Sequence, residues 1–197
     1  MLIGRPEIFA IESAITVAYE SLSLLAWGYF AIHVGGQVYG VREPDATLLA
    51  CSFGEVGDRL AARGRHTAPF STEPDAAKIA DAFRNAIYAE EQEDSYFGLS
   101  LSDFSDHFSR QFQNQLVWAP DGDEAFDDSS YVLQFDVQER VRLIAFKSTP
   151  DYRHDPLTLA DIWLPADVYY LTLTEWHEAF DREWRAAPKS AESTPDA

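Results

Sequence analysis

Two adjacent glycines constrain this chain more than any other feature. Residues Tyr29 to Val34 place Phe30, Ile32 and Val34 on one side and Tyr29, Ala31 and His33 on the other, and Gly35-Gly36 then leads into Gln37-Val38-Tyr39-Gly40-Val41. Side chains along a strand alternate between faces, and the tightest hairpin turns need positive φ at both central residues, which glycine adopts without steric cost. A hairpin follows, with Ile32 opposite Tyr39 and Phe30 opposite Val41. Any fold of this chain has to contain that antiparallel pair.

A second hairpin is expected between Tyr131 and Lys147. Tyr131, Leu133, Phe135 and Val137 alternate with Val132, Gln134 and Asp136. A two-residue turn at Gln138-Glu139 would set Phe135 opposite Arg142. A three-residue turn through Arg140 sets Val137 opposite Val141, Phe135 opposite Leu143 and Leu133 opposite Ala145. If burial on one face fixes register, the second turn is favoured. Ile8 to Tyr19 is rich in β-branched and aromatic residues and reads as the strand that opens the sheet, and Thr47 to Cys51 reads as a short one.

Helices fall between these strands. Ser52-Phe-Gly-Glu55 fits a capping box, with Phe53, Val56 and Leu60 on one face and Gly64 as a stop. Pro74 suits a first turn ahead of Ala76, Ala80, Phe83 and Ile87. Ser102 would cap a short helix carrying Phe104, Phe108 and Phe112. Pro165 opens a last helix, whose stripe is Tyr169, Leu173, Trp176, Phe180 and Trp184. Strands, helices, a hairpin and a final helix, in that order, predict an α+β fold: a mainly antiparallel sheet with helices packed against it.

Residues 1–186 are expected to form one such domain, and the small, polar, proline-containing end, 187–197, a flexible tail. The 197 residues suffice for a full core. No apolar run approaches the roughly 20 residues that span a bilayer. The N-terminus lacks the pattern of a signal peptide, so the expected location is cytoplasmic. Cys51 is the only cysteine, which excludes an internal disulfide and any zinc site built on cysteines.

Complete catalytic motifs are missing. His177-Glu178 resembles half of a zinc-protease motif, but Asp181 stands where the second histidine belongs. His33, His66, His107 and His154 have no short ligand spacing. Cys51 precedes the expected start of a helix, where a thiol can be activated or simply packed. No nucleophile elbow, Walker loop or dinucleotide fingerprint occurs, and no cofactor is expected.

Charge is the remaining signal. Fifteen Lys and Arg against 33 Asp and Glu give a formal net charge of -18, which repels nucleic acid and anionic membranes and draws in basic partners. Two segments concentrate it: Glu90, Glu91, Glu93 and Asp94 after the second helix, and Asp121, Asp123, Glu124, Asp127 and Asp128 before the second hairpin. As a calcium loop the latter fails, because Ala125 takes the fifth position, Phe126 the glycine's and Val132 the twelfth. Turn chemistry with a negative docking surface is the simplest account, and a carboxylate- or metal-dependent hydrolase is the alternative.

Four blocks carry a resemblance. Ile3-Gly-Arg-Pro-Glu-Ile-Phe-Ala-Ile-Glu12, Gly35-Gly-Gln-Val-Tyr-Gly-Val-Arg42, Pro44-Asp-Ala-Thr-Leu-Leu-Ala-Cys-Ser-Phe53 and Trp118-Ala-Pro-Asp-Gly-Asp-Glu-Ala-Phe-Asp-Asp128 resemble a predicted immunity-protein family of bacterial polymorphic toxin systems, number forty-two of its series. The similarity runs from near residue 3 to about residue 185. It implies an α+β protein that binds a cognate secreted toxin inside the producing cell and blocks it without catalysis. From charge, the expected toxin is basic, of a nuclease or nucleic-acid-modifying kind, and the two acidic segments are the expected contact residues.

Overall fold

The computed structural model describes residues 1–108, 115–120 and 122–190. Five strands come first: β1 (Leu2–Arg5), β2 (Phe9–Tyr19), β3 (Ala26–Val34), β4 (Gln37–Tyr39) and β5 (Thr47–Leu48). Helices α1 (Leu49–Ala61) and α2 (Ala76–Tyr88) follow, then a small ribbon of β6 (Ser95–Tyr96) and β7 (Leu99–Ser100), and α3 (Leu101–Asp106). The remainder is β8 (Val117–Ala119), β9 (Ser130–Val137), β10 (Arg140–Lys147), β11 (Ala160–Pro165), α4 (Ala166–Ala186) and β12 (Lys189–Ser190).

One sheet runs β1-β2-β3-β4, with β5 added to β3 and β12 to β2; the other runs β11-β10-β9-β8. All pairings are antiparallel except β12 with β2. The protein is therefore the expected single-domain α+β fold. Its first core lies among the first sheet, one face of the second sheet, α1 and α4, and includes Phe30, Ile32, Leu143, Tyr169 and Trp176. A second core lies on the opposite face of the second sheet, where α2 and α3 bring Ile79, Phe83 and Phe104 against Leu133, Phe135 and Phe146. The second sheet is thus a middle layer, covered on both faces.

That layering overturns the expected register of the second hairpin. Val137 pairs with Arg140, Phe135 with Arg142 and Leu133 with Ile144, so Gln138-Glu139 is a two-residue turn, with Gln138 at φ 53°. Burial selects a register only when one face is wet, and here neither is. Arg142, 1% exposed, sits on the α2 side, where Nε and Nη2 each donate to the Asp161 carboxylate at 2.8 Å. Its Nη1 donates to the Ser71 and Glu73 carbonyls at 3.0 and 2.6 Å. On the other face Gln134 accepts from Arg59 (2.7 Å) and Tyr169 (2.6 Å), and Asp136 accepts from Tyr170 (2.9 Å) and the Gly64 N–H (2.7 Å). Burial pushes the Tyr169 and Tyr170 hydroxyls upward in pKa, so both stay protonated donors.

In the first hairpin Ile32 does pair with Tyr39. The ladder stops there: Gly40, at φ 115°, turns the chain away, and the Val41 N–H donates to the Ala125 carbonyl at 2.8 Å instead of the strand continuing opposite Phe30. The capping box at Ser52 is not formed. The helix starts at Leu49, which is fully buried, so Ser52 lies inside it and Leu48 is an N-cap with no side-chain bond. Asp75 caps α2 and Ser100 caps α3, each accepting backbone N–H bonds. Phe112 lies outside the described residues. The α4 stripe is as expected, with Tyr169, Leu173, Trp176 and Phe180 buried and Trp184 packed at its edge.

Candidate functional site

The acidic segment ahead of β9 is built as a turn. Asp123 caps a 3-10 turn, Glu124–Phe126, by accepting from the Ala125 N–H at 3.0 Å. Ala125 and Phe126 are buried, and Phe126 meets Phe30 edge-on at 6.3 Å. The residues that break the calcium pattern are the ones that anchor this loop to the core. Asp128 accepts from the Ser130 N–H (3.2 Å) and from Lys147 Nζ (2.6 Å), which neutralises it locally. Glu124 and Asp127 are exposed, and Asp121 lies outside the described residues.

Asp123 and Glu124 do not stand alone. They face α1 across a groove of about 760 Å³, to which the helix contributes Cys51, Gly54, Glu55 and Asp58, spaced three or four residues apart and so on one face. Glu55, Asp58 and Pro120 also line an adjoining depression of about 470 Å³ that reaches Ile87 on α2 and Asp106 at the end of α3. Neither depression has a lysine or arginine among its described lining residues. Glu55 is held at 2.8 Å by Arg59, whose guanidinium is fully buried and lies 4.5 Å over the Trp118 ring. Sequence reasoning missed Glu55, Asp58 and Asp106, because they are scattered along the chain. Only the helical spacing of Glu55 and Asp58 hinted at a shared face.

The other predicted acidic segment lies elsewhere. Glu90, Glu91, Glu93 and Asp94 are exposed beyond the end of α2. Gln92 and Glu93 fasten this exit: the Gln92 amide donates to the Ala86 carbonyl (3.0 Å), and the Glu93 N–H to the Tyr96 hydroxyl (2.9 Å). Glu93 lines a cleft together with Lys78 and Arg153, a mixed-charge setting unlike the groove beside α1.

The remaining candidates have structural partners. His177 stacks on Phe53 at 3.9 Å, and burial pushes its imidazole below the ordinary value against the pull of Asp181 and Glu178. His154 contacts Asp81 at 2.7 Å, His66 the Gln115 carbonyl at 3.2 Å, and His107 meets Phe70 edge-on. His33 joins Tyr29 and Arg42 around Glu12, each at 2.9 Å from its carboxylate. Burial pushes the Glu12 carboxyl up, but the hydrogen bonds from His33 and Tyr29 and the Arg42 charge outweigh it and hold the group below its ordinary 4.5. Cys51 is exposed in the first turn of α1. Among the described residues no three His, Cys, Asp or Glu side chains gather closely enough to hold a metal, and no helix is long and apolar enough to cross a membrane.

Comparison with known proteins places this geometry in context. A family model described as Immunity protein 42 matches residues 1–179. The crystal structure of CdiI from Burkholderia dolosa AUO158 superposes with a TM-score of 0.56 at 15% identity, covering 91% of this chain and 99% of that one, a likeness of fold. No match is found among curated proteins.

Proposed function

The chain belongs to the immunity protein 42 family, and on that premise we propose that it neutralises one cognate toxin by non-catalytic, one-to-one binding in the cytoplasm of the cell that makes both. The family match over residues 1–179 carries the reading. The toxin is basic and acts on nucleic acid. Support for that finer step is electrostatic: a protein of formal net charge -18 complements a groove that binds polyanions, and it accelerates association with it.

The contact residues proposed are Asp121, Asp123, Glu124, Asp127 and Asp128, with Glu90, Glu91, Glu93 and Asp94 as a second acidic patch. Within the first set, exposed Glu124 and Asp127 are the informative ones to change, since Asp123 and Asp128 also hold the turn. Co-expression with the toxin domain encoded beside this gene tests the reading: growth is restored by this chain, and failure to restore it refutes the immunity role. Association should slow steeply with added salt, and Glu124→Gln with Asp127→Asn should flatten that dependence. An association rate indifferent to salt removes the argument for a basic toxin.

A further inference from the structure

We infer that the acidic groove between α1 and the segment bearing Trp118, Pro120 and Glu124 is the seat for a basic segment of the cognate toxin, one presenting lysine or arginine side chains over an apolar floor. The inference rests on the immunity reading above and adds the place and chemistry of docking. Its first support is one-sided charge. Asp58, Asp106, Asp123 and Glu124 line the two joined depressions, together with Glu55, whose charge the buried Arg59 offsets, and no basic side chain is among the described lining residues. Two other depressions on the protein each include arginine. Carboxylates that share a groove repel one another, and incoming cations relieve that repulsion while they bind.

A second support is the apolar floor. Leu48, Val117 and Pro120, each partly exposed, supply apolar area of the kind that interface centres bury, with Trp118 packed beneath them and the acids as rim. Trp118 is 2% exposed and its indole N–H has no acceptor among the described residues. Buried tryptophan N–H groups ordinarily find a partner, so an unsatisfied one in a groove wall suits a site completed by another molecule's acceptor.

The third support is room. A Cβ built on Gly54 meets nothing within 4 Å, and Cys51 is exposed one turn earlier, so the groove-facing side of α1 is bare. The helix is nevertheless fixed from below, where Arg59 donates to Gln134 (2.7 Å) and the Val117 carbonyl (2.6 Å). A rigid, open, acidic trough needs little reorganisation to receive a partner.

Cys51, the only cysteine, makes a reporter for the groove. With the toxin domain encoded beside this gene as the probe, N-ethylmaleimide should alkylate Cys51 more slowly in the complex than in the free protein, by about tenfold or more for a well-buried site. Gly54→Trp projects an indole into the trough from a position where a Cβ meets nothing within 4 Å, and should weaken binding by about a hundredfold, while thermal unfolding shows the fold intact. Asp58→Lys with Glu124→Lys, both at exposed positions, provides a second variant should Gly54→Trp misfold, and it should weaken binding by at least about tenfold. A complex in which Cys51 reacts at the free rate and both variants bind like the wild type overturns the groove and leaves the immunity reading standing. A wild-type chain that neither binds nor protects against that domain removes the immunity reading, and the groove with it.

Discussion

Arg142→Met tests the layered architecture at its most exacting point. The arginine is 1% exposed in the middle sheet and makes four hydrogen bonds, two to the Asp161 carboxylate and two to the carbonyls of Ser71 and Glu73. Methionine keeps the apolar stem but leaves two carbonyls without their donor and Asp161, at 27% side-chain exposure, without its cation. Breaking a buried pair from one side costs roughly 3–5 kcal/mol, a large share of the roughly 5–15 kcal/mol that holds a domain together. At roughly 2–4 °C per kcal/mol for a domain of this size, the midpoint of thermal unfolding should fall by about 6–20 °C. Urea unfolding of the wild type, Arg142→Met, Asp161→Asn and the double variant gives the coupling directly, and it should exceed about 1 kcal/mol. A loss below about 1 kcal/mol for Arg142→Met, with no coupling to Asp161, would mean that water reaches this face. The account of the Phe135–Arg142 register would then fail.

Two further perturbations probe the first sheet. A Cβ on Gly28 would stand 1.9 Å from the Ala14 carbonyl oxygen, so Gly28→Ala must open the β2–β3 ladder and cost about 3 kcal/mol or more; a urea midpoint within error of the wild type refutes it. The Glu12 carboxyl is held below its ordinary 4.5 in the folded state, so its stabilising share is complete above 4.5 and is lost as pH falls through the lower folded value. The stability gap between wild type and Glu12→Gln should therefore be largest near neutral pH and narrow below 4.5, and a gap that stays constant into acid contradicts the assignment.

What could be read from the chain and what could not divide along a physical line. Local signals survived where one element dictates its own geometry: Gly35-Gly36 set the first turn, and the α4 stripe from Tyr169 to Phe180 found the core. The family resemblance was legible too, because its blocks are contiguous. Errors arose where tertiary layering decides. The sheet of β9 and β10 is covered on both faces, so the alternation of Tyr131 to Val137 carried no register information, and Arg142 could be buried because Asp161, on a strand the sequence did not announce, waits beside it. Ser52 satisfies the spacing of a capping box, yet the pull of Leu49 into the core started the helix earlier. The groove beside α1 was invisible for a related reason. Its acids come from α1, α3 and the loop before β9, and only folding brings them together.

The same burial sharpens the electrostatic argument. Arg59, Arg84 and Arg142 are each at most 4% exposed, so three of the 15 basic side chains are spent inside the fold. Arg59 and Arg142 take Glu55 and Asp161 as partners, but Arg84 lies against the rings of Tyr88 and Tyr131 and donates to the Tyr131 hydroxyl. Aromatic faces thus supply part of its compensation. The surface that a diffusing partner meets carries a large excess of acid, and a groove with no lysine or arginine among its described lining residues is where low-dielectric walls focus that excess. A neutral partner would gain nothing from such an arrangement, whereas a basic one gains both speed of encounter and a defined seat.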